Sequence, residues 1–125
     1  MDACSLAQYW GLGEPLARRL AAAINSFEIE TGKTVSVISG YRTIAEQLQL
    51  IRMGRPAVSP ERSTHTTCPA SGADIRIGGM VNSQTKDIWG RIVVINGLRW
   101  GGGSPRDPQT GIPSDWQHVD LGPRS

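Results

Sequence analysis

The side chains able to bind a metal are few, and their positions suggest one chemistry. The chain has two histidines, His65 and His118. His65 stands in a stretch rich in Pro, Ser and Thr, and Asp74 comes after it at the head of the segment ADIRI. His118 lies near the C-terminal end, three residues after Asp115. Two imidazoles and a carboxylate are a standard ligand set for a catalytic zinc, which leaves its fourth position to water. Such a metal lowers the pKa of the bound water to about 7. A carboxylate outside the ligand set then takes the proton and passes it to the leaving amine. Asp115 is placed for that role only if the chain turns near residues 114–116. In an extended segment, a residue three before His118 points to the opposite face. Pro113 favours such a turn. Histidines are also ordinary surface or core residues, so spacing alone leaves a metal-free reading open.

Helices and strands must position these residues, and local patterns mark most of them. Pro15 opens a helix in which Leu16, Leu20, Ala23, Ile24 and Phe27 recur at helical spacing, and Gly32 ends it. Thr34 to Ser39 is β-branched and alternating, as a strand should be. Thr43 and Glu46 form a capping box for a second helix, with Ile44, Leu48 and Ile51 on its apolar face and Gly54 at its end. Residues 55–72 form a long loop, of the kind that carries function in small domains. Ala73 to Ile77 is a second strand. Ser83 caps a third helix over 84–96, stopped by Gly97. A short strand at Leu98 to Trp100, a Gly/Pro-rich loop over 101–114 and a last strand at Trp116 to Leu121 complete the chain. Helices and strands do not alternate regularly. The expected fold is therefore α+β: a single domain over 1–125, with a small antiparallel sheet, about three helices packed on it and long active-site loops.

Bulk properties narrow the function classes. A hydrophobic content of 38% supports a core, and 15 glycines and 8 prolines point to many turns. The formal charge of +2 comes without any run of Lys or Arg, which argues against nucleic acid. Two cysteines, Cys4 and Cys68, are too few for a disulfide framework; two free thiols are expected, with a single bridge between them as the alternative. The N-terminus lacks a basic region followed by an apolar run, and Ile92 to Ile95 is far too short to span a bilayer. The expectation is a monomer made in the cytoplasm without a signal peptide, with no membrane span.

Five motifs in order resemble a known family. SGYRT, S-x-H, A-D-I, GLRWGG and D-W-x-H, spread over Val35 to Leu121, look like the zinc peptidases related to D-alanyl-D-alanine carboxypeptidases. Among these, the phage L-alanyl-D-glutamate endopeptidases, which act as endolysins, are the most similar short forms. The resemblance implies a Hedgehog/DD-peptidase-like fold, zinc held by His65, Asp74 and His118, and Asp115 as general base. It also implies that Arg42 faces the substrate, where a guanidinium can hold the scissile carbonyl and stabilise the developing oxyanion. A structural Arg bracing the strand-to-helix loop is the alternative. Gln47 matches a family glutamine and either contacts substrate or supports the site. Ser63 either bonds substrate or fixes its loop. The implied substrate is bacterial peptidoglycan peptide, reached after release to the cell wall.

The sequence departs from the family pattern S-x-H-x-x-G-x-A-x-D, because the step from His65 to Asp74 is two residues longer. Loop closure cost grows slowly with length, so both ligands can still converge. The departure puts Cys68 three residues after His65, as a rival thiolate ligand. Trp100 and Trp116 read first as packing, and Gly101 to Gly103 as freedom for the chain to pass close to the cleft. Two other readings stay open: a carboxypeptidase trimming D-alanine, and a non-catalytic zinc-containing wall-binding module.

Overall fold

The computed structural model describes residues 2–103 and 114–122. Pro113 and most of the Gly/Pro-rich loop lie outside the described residues. The described elements run α1 (Ala3–Trp10), α2 (Glu14–Thr31), β1 (Val35–Ser39), α3 (Ile44–Arg52), β2 (Gly72–Ile77), α4 (Ser83–Ile95), β3 (Arg99–Trp100) and β4 (His118–Asp120). The four strands form one antiparallel sheet in the order β1-β2-β4-β3. The fold is α+β, with four helices among the described residues.

One face of the sheet builds the core. Val35 and Val37 of β1 stand opposite Ile77 and Ile75 of β2, and Ala73 of β2 opposite Val119 of β4. These side chains are buried with Leu16, Leu20, Ile24 and Phe27 of α2 and Trp89 and Val93 of α4. The Phe27 and Trp89 rings meet edge to face at 5.5 Å, a favourable aromatic geometry. Because strand side chains alternate, Gly72 and Asp74 of β2 and His118 and Asp120 of β4 fall on the other face. No described helix is long and apolar enough to cross a membrane.

Several expectations need correction. α1 has no counterpart in the expected elements. Asp2 caps it by accepting from the Ser5 N–H, Gly11 ends it in the left-handed conformation at φ 64°, and Leu6 is its buried residue. α3 forms with the expected Thr43–Glu46 capping box, but Ile44 and Ile51 are 63% and 38% exposed. The residue α3 buries is Gln47, at 1% exposure. Leu48 and Leu50 are half-buried, so the one side chain that α3 buries fully is polar. Asn82, and not Ser83, caps α4 by accepting from the Thr85 N–H. The last strand is shorter than expected because residues 115–118 turn before pairing begins at His118.

Candidate metal centre

Register brings the three sequence-predicted ligands together. Asp74 sits on the second strand of the sheet, opposite His118 on one side and Ser39 on the other. Between Val37 and Ser39, β1 carries one extra residue relative to β2. Such a bulge bends the strand and re-aims the residues beyond it, here Gly40 and Arg42. The Arg42 N–H donates to the His65 carbonyl at 2.7 Å, and His65 Nδ1 lies 2.7 Å from the Gly40 carbonyl oxygen. The long loop is thus tied to the end of β1 through the backbone and the ring of the same residue. Beside it, the Thr64 carbonyl accepts from the Ser71 and Gly72 N–H groups. A Cβ at position 72 would stand 2.1 Å from Thr64 Oγ1 and 3.1 Å from His118 Cε1, so glycine is what lets loop and sheet close on each other.

One donor atom each from His65, Asp74 and His118 lies within 4.8 Å of the others. His65 Nε2 is 3.6 Å from Asp74 Oδ2, and His118 Nδ1 is 3.0 Å from Asp74 Oδ1. Each ring uses its remaining nitrogen elsewhere: His65 Nδ1 toward Gly40, and His118 Nε2 toward Asp120 Oδ2 at 2.8 Å. Anchoring of the non-coordinating ring nitrogen by a carbonyl or carboxylate is the usual support of metal-binding histidines. The donor set of two imidazoles and one carboxylate fits zinc. The presented atoms would be His65 Nε2, an Asp74 oxygen and His118 Nδ1. His65 is buried, whereas Asp74 and His118 are only partly so, which leaves the trio open on one side.

Electrostatics reflect the crowding. Burial pushes the Asp74 carboxyl up, but contacts with His118 and His65 outweigh this and hold it well below the usual carboxylate range. Burial pushes His118 down, but hydrogen bonds to Asp120 and Asp74 raise it to about 9. Asp120 behaves like Asp74: burial raises it, while His118 and Arg99 hold it well below its ordinary value. The two carboxylates that flank His118 thus favour its charged form in the metal-free site.

The remaining sequence-predicted residues surround this group. Arg42 Nη2 donates to Asp74 Oδ2 at 3.0 Å, and its Nη1 donates to Gln47 Oε1 at 3.2 Å. Gln47 Nε2 donates to the Val58 carbonyl at 2.8 Å, so both ends of that buried amide are engaged. Ser63 is 2% exposed, and its Oγ accepts from the His65 N–H. Asp115 is exposed and stands outside the three-residue group. The chain turns at this point: the His118 N–H donates to the Asp115 carbonyl at 3.1 Å, and Asp115 Oδ1 accepts locally from the Gln117 N–H. Gly101 permits this turn, since a Cβ there would lie 2.3 Å from the Asp115 carbonyl oxygen. Cys68 is an exposed free thiol outside the group, and Cys4 is also free. Trp100 packs against Gly90 and Gly102 and donates from Nε1 to the Trp116 carbonyl.

Sequence reasoning missed Asp120, Arg99 and the Gly40 carbonyl. The first had a readable signal. In a strand, H-x-D places both side chains on one face. The Gly40 contact depends on a bulge and a loop closure that no local pattern encodes.

No family model matches this sequence, and no curated protein matches it. Solved structures do. The crystal structure of the Serratia marcescens L-Ala D-Glu endopeptidase ChiX superposes with a TM-score of 0.60 at 18% identity, covering 90% of this chain and 81% of that one. The LdcB LD-carboxypeptidase superposes with a TM-score of 0.67 at 16% identity over 87% of this chain; the chain spans 58% of LdcB's length. The chain therefore has the fold shared by these two peptidases.

Proposed function

We propose that this chain is a zinc-dependent peptidase that cleaves amide bonds in peptidoglycan stem peptides. The observation that carries the reading is the convergence of His65, Asp74 and His118, each ring anchored through its other nitrogen. The fold shared with an L-Ala D-Glu endopeptidase and an LD-carboxypeptidase supports the substrate class. When bound, zinc supplies a Lewis acid and a water acidic enough to ionise near neutral pH.

The chain's own residues do the rest. Asp115, on its glycine-permitted turn, takes the proton of the attacking water and returns it to the leaving amine. Arg42 holds the scissile carbonyl and stabilises negative charge on its oxygen, because its planar fork offers donors beyond those used by Asp74 and Gln47. Gln47 and Ser63 work beneath the substrate: the first aims Arg42, and the second fixes the His65 loop.

The finer reading is an L-alanyl-D-glutamate endopeptidase of the short phage type, acting on the wall after release. The order of motifs from SGYRT to D-W-x-H supports it. Mass spectrometry of purified peptidoglycan digested with zinc present tests both levels. New D-glutamyl amino termini within the stem are expected. Free D-alanine would instead indicate a carboxypeptidase, and release of no product would favour a non-catalytic wall-binding module.

A further inference from the structure

Asp120 is fully buried, two residues beyond His118 on β4, and the contacts of its carboxylate serve one arrangement. Oδ2 lies 2.8 Å from His118 Nε2 and accepts from Arg99 Nη2 at 2.6 Å. Oδ1 accepts from Arg99 Nε at 2.8 Å and from the Gly122 N–H at 2.8 Å. Arg99 stands directly opposite Asp120 across the β3–β4 pair, as His118 stands opposite Asp74 across β2–β4. A two-pronged guanidinium fixes the plane of a carboxylate as well as its position. Burying that ion pair is costly, and an apolar pair of similar volume would often be no less stable. The arrangement therefore calls for a role beyond stability.

We infer that Asp120, braced by Arg99, is a positioning residue for metal uptake. It holds the His118 ring with Nε2–H directed at Asp120, so that Nδ1 faces Asp74 and His65. The inference rests on the proposed metal centre and goes beyond it. An imidazole can rotate about its Cβ–Cγ bond and exchange tautomers. A fixed anionic acceptor at one nitrogen selects the ring orientation that frees the other, and strengthens it as a donor. Arg99 offsets the charge of Asp120, so the brace adds no net charge beside the ligand set. Gly40 does the same for His65 with a neutral carbonyl and on the opposite nitrogen.

The test is zinc affinity, measured by chelator competition, together with the visible spectrum of the cobalt-substituted protein, for wild type, Asp120→Ala, Asp120→Asn and Arg99→Lys. Circular dichroism of the EDTA-treated proteins checks folding. Asp120→Ala should weaken zinc binding by about 10–100-fold, as loss of such outer partners typically does, and should alter the cobalt bands. Asp120→Asn keeps an oxygen that accepts from Nε2–H and should recover part of the affinity. Arg99→Lys should fall between wild type and Asp120→Ala. If Asp120→Ala does not fold, the Asn and Lys variants decide. Variants that bind zinc as wild type does, with an unchanged cobalt spectrum, would overturn the inference and leave the metal centre standing. A wild-type protein that takes up no zinc would overturn both.

Discussion

Arg42 Nη2 lies 3.0 Å from Asp74 Oδ2, the same oxygen that faces His65 Nε2 at 3.6 Å. The guanidinium is thus tied to the carboxylate at the middle of the ligand set, and its other prong is aimed by Gln47. If zinc occupies the trio as proposed, an Arg held this close to Asp74 would meet the carbonyl that the metal polarises. Arg42→Ala should lower turnover on peptidoglycan fragments by about 10²-fold, the usual effect of losing an oxyanion donor. With zinc supplied in excess, so that loss of the Asp74 contact does not empty the site, metal content should not change. Arg42→Lys should recover little, because an ammonium cannot span two partners in the same fork. Steady-state rates with metal analysis on the same samples check this.

Gln47 should matter through the fold. It is buried with both amide atoms engaged, between Arg42 Nη1 and the Val58 carbonyl. Gln47→Leu keeps the volume but leaves two polar groups without this partner. The expected loss is about 1–3 kcal/mol, read as a lower denaturant midpoint with an unchanged slope.

Metal uptake should be coupled to protons. His118 is raised to about 9 in the metal-free protein, so below that pH zinc must displace a proton from the ring. Apparent zinc affinity should climb about tenfold per pH unit up to about 9 and then flatten. The stability of the metal-free protein should run the other way. A group whose folded pKa lies above its unfolded value of about 6.5 stabilises fully below 6.5 and loses that effect as pH rises through about 9. Urea midpoints of EDTA-treated protein at about pH 6 and about pH 9.5, on either side of that window, should show the decline. One equivalent of zinc should reverse it at the higher pH.

Gly101 should resist substitution. An added Cβ meets the Asp115 carbonyl oxygen at 2.3 Å and His118 Cβ at 3.1 Å, both on backbone-anchored groups that cannot swing aside. Gly101→Ala should displace the turn that carries Asp115, at about 1–3 kcal/mol in stability. It should also lower turnover more than zinc affinity. Parallel measurement of the two separates this from general unfolding.

Much of this arrangement was legible in the sequence where the signals were local. The α2 stripe, the Thr43–Glu46 capping box and the strand expected over Thr34–Ser39 each come from residue spacing, and the structure has them all, the strand from Val35. The convergence of His65, Asp74 and His118 was legible through motif order, although the longer His65–Asp74 loop obscured how its middle would close. That loop closes through Thr64 lying against Gly72, a long-range fit that spacing does not encode. α1 was missed because an eight-residue helix with one buried side chain has little periodicity, and tertiary packing rather than propensity holds it. The apolar face expected of α3 misled for a related reason. Ile44 and Ile51 repeat at helical spacing but stay exposed, whereas Gln47 is buried against Arg42.

The most direct test of the central claim is a zinc titration of EDTA-stripped protein, with stem-peptide release from purified peptidoglycan as the readout. A metal-dependent peptidase should show no release without metal, a rise that saturates at one zinc per chain, and no recovery in a folded His118→Ala variant. Release that persists in EDTA, or that is unaltered in His118→Ala, would contradict it.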